Sequence, residues 1–130
     1  MRFDLIDRVI EQDAQRLVAV KNVTSAEEYL GDHFPGFPVL PGVMMLETLV
    51  QAARHLVAET FNGEPLVATD IRNVRYGSFV QPGQTLTVEV TIHKEEDDGI
   101  TFKGVGRVED KVAVQGRFRL TPLTAAEPTT

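Results

Sequence analysis

The residues best suited to chemistry fall in one run, Asp32 to Gln51, where a histidine, a carboxylate and an amide are strung along a proline-rich loop and the helix it feeds. His33 sits in the loop. Pro35, Pro38 and Pro41 all lie within eight residues of it, and a stiff surround is what a general base needs. Glu47 follows fourteen residues later with apolar neighbours before and after it. Burial there would make its charge costly and suit it to donate a proton. Gln51, one helical turn beyond, has the right type and distance to orient Glu47 by a hydrogen bond. Between base and acid stand Gly42 and Val43, in a first helical turn whose N–H groups have no helical acceptor. With the helix dipole behind them they form an oxyanion site, and glycine lets a carbonyl approach the backbone closely.

Each of these residues also has a plain structural role open to it. Glu47, Gln51, Arg54 and His55 share a helical face at spacings of four, seven and eight, the pattern of a narrow solvated stripe. A single loop histidine is often structural. His55, late on the helix, and His93, at the end of an alternating strand, read as surface residues. The histidines are scattered and no clustered acids accompany them, so no metal site is expected. No Ser/His/Asp arrangement and no phosphate-binding glycine loop occurs.

The elements that must position these groups follow from periodicity. Leu5–Ile10 and Arg16–Val23 predict two short strands joined by a turn at residues 12–15. Thr24-Ser25 before Glu27-Glu28 is a capping-box pattern that predicts a short helix to about Leu30, stopped by Gly31. The Pro/Gly loop follows, and Pro41 suits the first position of a helix running to about Thr60. Between Val43 and Ala53, eight of eleven residues are apolar. They surround most of the helix, so a curved sheet, or a second subunit, must cover it. Leu66–Tyr76 and Thr85–Lys94 predict strands, the second with Leu86, Val88, Val90 and Ile92 alternating with polar residues. Ile100–Glu109 and Val112–Thr121 complete the set, after a charged turn at residues 95–99. Gly104, Gly106 and Gly116 permit close packing or curvature. Short connections make the sheet antiparallel, and a long helix against it is an α+β arrangement.

Composition limits the partners. At 130 residues the chain makes one domain, expected over residues 1–121, with a Thr/Ala/Pro-rich disordered tail over 122–130. The absence of cysteine excludes disulfides and thiol chemistry. The N-terminus lacks the apolar run of a signal peptide, and Glu47, Gln51 and Arg54 interrupt the longest apolar stretch, so no membrane span and a cytoplasmic location are expected. A formal charge of −6 argues against nucleic acid as the main partner. Arg72 and Arg75, three apart, and Arg117 and Arg119, alternating on one strand face, leave a local basic patch open beside ordinary solvated surface.

At this point the residues carry a resemblance. His33-Phe34-Pro35-Gly36-x-Pro38-x-x-Pro41-Gly42-Val43-x-x-x-Glu47-x-x-x-Gln51-Ala52 resembles the signature of the FabZ-type 3-hydroxyacyl-acyl carrier protein dehydratases. Weaker similarity reaches Leu5-Ile6-Asp7-Arg8-Val9, Pro82-Gly83-Gln84-Thr85-Leu86 and Val112-Ala113-Val114. Glutamate at 47 resembles the dehydratase-only branch rather than the dehydratase/isomerase branch. The chain departs from the family's usual N-terminal Pro-His-Arg-Tyr-Pro-Phe segment, and in the aromatic-basic stretch that is here Tyr76-Gly77-Ser78-Phe79.

The resemblance implies a hotdog fold, a long central helix wrapped by an antiparallel sheet. It implies a homodimer, or a hexamer built as a trimer of dimers, in which the histidine of one subunit meets the acid of the other. It further implies cofactor-free dehydration of a (3R)-3-hydroxyacyl thioester on acyl carrier protein or coenzyme A. In that reaction His33 takes the C2 proton, Glu47 protonates the departing hydroxyl, and Gly42 N–H holds the thioester oxygen. Val39, Leu40, Met44 and Phe79 are then candidates to line an acyl tunnel, with plain core packing the alternative for each. A hotdog thioesterase and a non-catalytic acyl-binding subunit are the rival functions.

Overall fold

The computed structural model describes residues 5–24, 39–61 and 64–123. The elements are β1 (Arg8–Gln12), β2 (Arg16–Asn22), α1 (Gly42–Leu56), β3 (Leu66–Tyr76), β4 (Thr85–Glu96), β5 (Gly99–Val108) and β6 (Lys111–Pro122). Every strand pairing is antiparallel, in the order β1-β2-β4-β5-β6-β3. The expected α+β arrangement is therefore present: α1, the one helix among the described residues, lies on one six-stranded sheet and touches β2, β3, β4, β5 and β6. His33 and the expected helix at 24–30, beyond Thr24, lie outside the described residues, as do residues 124–130 of the expected tail. Pro122 still belongs to β6, and Leu123 N–H bonds to the Pro65 carbonyl at 2.9 Å.

The alternation read from β4 is the one the core uses. Leu86, Val88 and Val90 are fully buried while Thr85, His93 and Lys94 are exposed. Phe102 and Phe118, register partners on β5 and β6, stack with ring centroids 5.7 Å apart and have no exposed surface. Glycine explains how the helix approaches so closely. A Cβ at position 104 would stand 3.1 Å from Leu49 Cδ1, so the middle of α1 rests directly on the β5 backbone. Leu49, Ala52 and Ala53 are fully buried, and burying a side chain of the size of Leu49 contributes about 1.5–3 kcal/mol of transfer free energy.

The helix starts one residue later than Pro41 and ends four residues before Thr60. Pro41 is the N-cap, and its carbonyl accepts from Met44 N–H at 2.9 Å and Met45 N–H at 3.1 Å. After Leu56 the chain continues in turns, with Val57 N–H on the Ala53 carbonyl and Thr60 N–H on the Val57 carbonyl. Arg54 and His55 in the last turn complement the helix dipole. The covering of α1 is one-sided within a single chain. Met45, Thr48, Leu49, Val50, Ala52 and Ala53 are buried, but Val43 is 67% exposed.

Strand β3 forms one edge of the sheet and is twice irregular. Thr69 pairs with Arg119, Arg72 with Arg117 and Arg75 with Gln115, so three residues of β3 run against two of β6, two times over. Each extra residue is a β-bulge. Asp70 (φ 51°) and Asn73 (φ 56°) supply the left-handed backbone, which Asp and Asn tolerate better than other non-glycine residues.

Candidate functional site

The helix start is held by the segment before it. Leu40 N–H donates to the Val80 carbonyl at 2.7 Å, fastening the approach to α1 onto the loop between β3 and β4. Val39, Leu40 and Val80 are buried there. Because the Pro41 carbonyl takes the N–H groups of Met44 and Met45, those of Gly42 and Val43 precede the first intrahelical bond and have no helical acceptor. The Tyr76 ring lies against this turn. A Cβ on residue 42 would come 2.9 Å from Tyr76 Cε1, so a larger residue there would have to displace the ring. Tyr76 itself is 52% exposed and was not singled out as a contact of Gly42 by the sequence, since no periodicity relates residues 42 and 76.

Glu47 lies on the second turn of α1. It is four residues past Val43, so the two share a face, and helical side chains tilt towards the N-terminus. The residue thus stands one turn beyond those N–H groups, although its carboxylate is drawn the other way, towards Arg54. Within one chain it is not buried: its side chain is 40% exposed and Oε1 pairs with Arg54 Nη1 at 3.2 Å. The burial expected from its apolar neighbours needs something beyond this chain's described residues. Arg54 is in turn anchored, with Nε donating to the Leu66 carbonyl at 3.0 Å. Sequence spacing put Arg54 on the Glu47 face but gave it no task.

Gln51 presents its amide oxygen to Leu5 N–H at 2.8 Å, which ties the start of the chain to the helix. That bond fixes the amide orientation, since Leu5 N–H can only donate. The NH2 group is then the donating end of the side chain. Among the candidate tunnel residues, Val39 and Leu40 are buried, Met44 is half-buried against the core, and Phe79 is 59% exposed. The Leu40–Val80 hydrogen bond fastens Leu40 to the residue that follows Phe79. His55 and His93 are exposed, as their positions suggested. Among the described residues, no group of three or more His, Asp or Glu stands close enough to hold a metal, and no helix is long and apolar enough to cross a membrane.

This sheet-wrapped helix, with backbone donors at its start and an acid one turn on, places the chain in a family of dehydratases: residues 9–117 match the ApeI-like family, described as ApeI dehydratase, and the chain belongs to it. Curated relatives carry the name 3-hydroxyacyl-[acyl-carrier-protein] dehydratase FabZ. The protein of that name from Fusobacterium nucleatum is 36% identical over 118 residues, covering 89% of this chain and 84% of its own. That from a Polaromonas species is 38% identical over 128 residues, covering 94% and 88%. Among solved structures, the ApeI:P dehydratase heterocomplex from Xenorhabdus doucetiae superposes with a TM-score of 0.75 at 17% identity, covering 92% of this chain and 82% of that one. Mouse thioesterase superfamily member 2 does so with a TM-score of 0.66 at 18% identity, covering 89% and 80%. At such identities these likenesses speak for the fold alone. The fold is the hotdog, as the signature implied.

Proposed function

We propose that this chain removes water from a (3R)-3-hydroxyacyl thioester, carried on acyl carrier protein, to give the trans-2-enoyl thioester in fatty acid or related lipid synthesis. The observation that carries the reading is the place of Glu47, one turn past the N–H groups of Gly42 and Val43, in a chain 36% identical to a FabZ dehydratase over 118 residues. The thioester carbonyl accepts from Gly42 N–H, with Val43 N–H beside it, and these donors stabilise the oxygen as negative charge develops. His33 takes the proton from C2. Glu47 gives a proton to the C3 hydroxyl, which leaves as water, and Gln51 orients that acid through its amide N–H. A neutral base and a protonated acid must coexist, which a water-poor site favours. Val39, Leu40, Met44 and Phe79 line the path of the acyl chain.

The half-exposed Glu47 and the exposed Val43 support a homodimer, in which a second copy closes over α1 and brings His33 of one subunit to Glu47 of the other; a cytoplasmic location goes with this reading. Residues 1–121 work as one domain in this reading.

Incubation with a 3-hydroxyacyl-acyl carrier protein thioester tests it. Formation of the conjugated enoyl thioester without thiol release is the expected result. Thiol release without enoyl product would assign the chain to the thioesterases instead. Neither product, with acyl thioester still bound, would assign it to the non-catalytic acyl-binding subunits.

A further inference from the structure

The acid of the site has a neighbour that the mechanism leaves unused. Arg54 lies seven residues past Glu47 on α1, two turns on and within about 20° of the same direction around the axis. Two turns are about 10.5 Å of helix, more than a glutamate side chain spans. Arginine bridges the gap because its side chain is long and helical side chains tilt towards the N-terminus. Its Nη1 donates to Glu47 Oε1 at 3.2 Å. Among the described residues this is the contact that holds the carboxylate, whereas the Gln51 amide oxygen is spent on Leu5 N–H.

The guanidinium is itself fixed. Nε donates to the carbonyl of Leu66, the first residue of β3, at 3.0 Å. That carbonyl is held by the sheet: Leu66 pairs with Pro122 of β6, and Leu123 N–H bonds to the neighbouring Pro65 carbonyl at 2.9 Å. One planar group thus holds a backbone oxygen with one nitrogen and the acid with another, and the angle between those donors is rigid. A part-exposed ion pair contributes little to stability and has no need of such an anchor. The anchor fixes where the positive charge stands, and the charge fixes where the carboxylate stands.

Arginine stays charged and only donates. The better acceptor of a carboxylic acid is its carbonyl oxygen, so a Glu47 held through Oε1 bears its proton on Oε2. In the dehydration that proton passes to the C3 hydroxyl as the C3–O bond breaks. His33 takes the C2 proton, the C2–H electron pair becomes the second C2–C3 bond, and water leaves. The carboxylate that remains on Glu47 faces a counter-charge already in place.

We propose that Arg54 is a positioning residue for this reaction: anchored on the Leu66 carbonyl, it holds Glu47 through Oε1 and so presents the transferable proton on Oε2. The assignment rests on the dehydratase reading and deepens it.

The test follows steady-state turnover of a 3-hydroxyacyl pantetheine thioester by the full chain and its variants, read as formation of the conjugated enoyl thioester. Arg54→Leu is expected to lower kcat by about 10–100-fold, the scale of a misplaced reacting group, with KM within about twofold. Arg54→Lys should fall between, because one nitrogen then stands where two held Leu66 and Glu47 together. In the Glu47→Gln background, Arg54→Leu should change the residual kcat by less than about twofold, since no proton is left to place. An arginine that only supported the fold would lower activity equally in both backgrounds.

Equal losses in the two backgrounds, or wild-type kcat in Arg54→Leu, overturn the proposal while the dehydratase reading stands. Should Arg54→Leu fail to fold, Arg54→Lys decides. Its kcat equal to that of the wild type overturns the proposal, and a loss of at least about threefold, confined to the chain that keeps Glu47, upholds it. A wild-type chain that forms no enoyl thioester sinks the dehydratase reading, and the assignment of Arg54 with it.

Discussion

Under α1 the sheet is lined by glycine and fully buried aliphatic and aromatic side chains, whereas its opposite face carries Lys103, Arg117, Arg72 and Arg75. The same strands build both faces, residue by residue in alternation. On the inner face each position is constrained by a neighbour within van der Waals reach, as Gly104 is by Leu49. On the outer face the neighbours are solvent and other charges, and substitution there costs the fold little. The inner face can therefore hold a reacting group in place, and the outer face is free to be shaped by a partner. Glu47 sits at the border between the two regimes, attached to the packed helix yet 40% exposed at its side chain.

The sharpest way to test this division is at the helix start. Glu47→Gln, and separately His33→Ala, should each lower kcat by about 10²–10⁴-fold, the usual weight of general acid–base catalysis. Equilibrium unfolding of Glu47→Gln should move by no more than about 1 kcal/mol, because its ion pair is half-exposed. A large loss of stability would mean that Glu47 belongs to the packed region after all.

Next in size is Gly104→Val. Its side chain would meet Leu49 and lift α1 from β5, costing about 1–3 kcal/mol in urea titration. Lys103→Gln, one residue away on the outer face, should cost nothing measurable in the same experiment. Equal costs at 103 and 104 would erase the contrast.

Smaller still is the coupling between Glu47 and Arg54. A double-mutant cycle with Glu47→Gln and Arg54→Leu should give about 0.2–1 kcal/mol. Arg54→Leu alone should cost more, since it also removes the bond to the Leu66 carbonyl.

The smallest effect is on His93. Its imidazole should titrate below its ordinary value of 6.5 in an NMR pH series, and Lys103→Gln should raise the midpoint. A folded-state pKa below the unfolded one means that the unfolded chain binds more protons as pH falls through about 6.5. Stability from this group is then full above that pH and declines below it, and His93→Gln should flatten the decline. Asp98 adds a lower step, since the Arg119 hydrogen bond and charge depress its pKa. Its contribution is present above the ordinary carboxylate range and is lost as pH falls through the depressed folded value.

Much of the inner face was legible in the sequence. The alternation of Leu86, Val88 and Val90 marks a half-buried strand, and Leu66–Tyr76 gives β3 its full length. The apolar ring around α1 was legible too, although its cover within one chain is one-sided. The acid, the backbone donors and the amide could be picked out because they fall within one helix, where spacing fixes facing. Contacts that cross between elements could not. The Tyr76 ring on Gly42, the Leu5–Gln51 bond and the Arg54 anchor on Leu66 join residues 34, 46 and 12 positions apart, with no period to reveal them. The bulges of β3 were hidden as well, since nothing in Thr69-Asp70-Ile71-Arg72-Asn73-Val74-Arg75 announces which residue takes positive φ.

Those bulges behave like a reading frame. Between Thr69 and Arg75, β3 is read in threes while β6 is read in twos, and the two stay synchronised only because Asp70 and Asn73 each absorb one extra residue. Losing the extra residue at either place would leave two residues of β3 against two of β6, and the pairs beyond it would keep their partners. Losing a residue from the regular pairing between Leu66 and Thr69 would instead put the strand out of step by one and turn side chains to the other face. One-residue deletions at Asp70 or Asn73 should thus spare the facing of Arg72, Arg75 and Tyr76, whereas a deletion in the regular stretch would not.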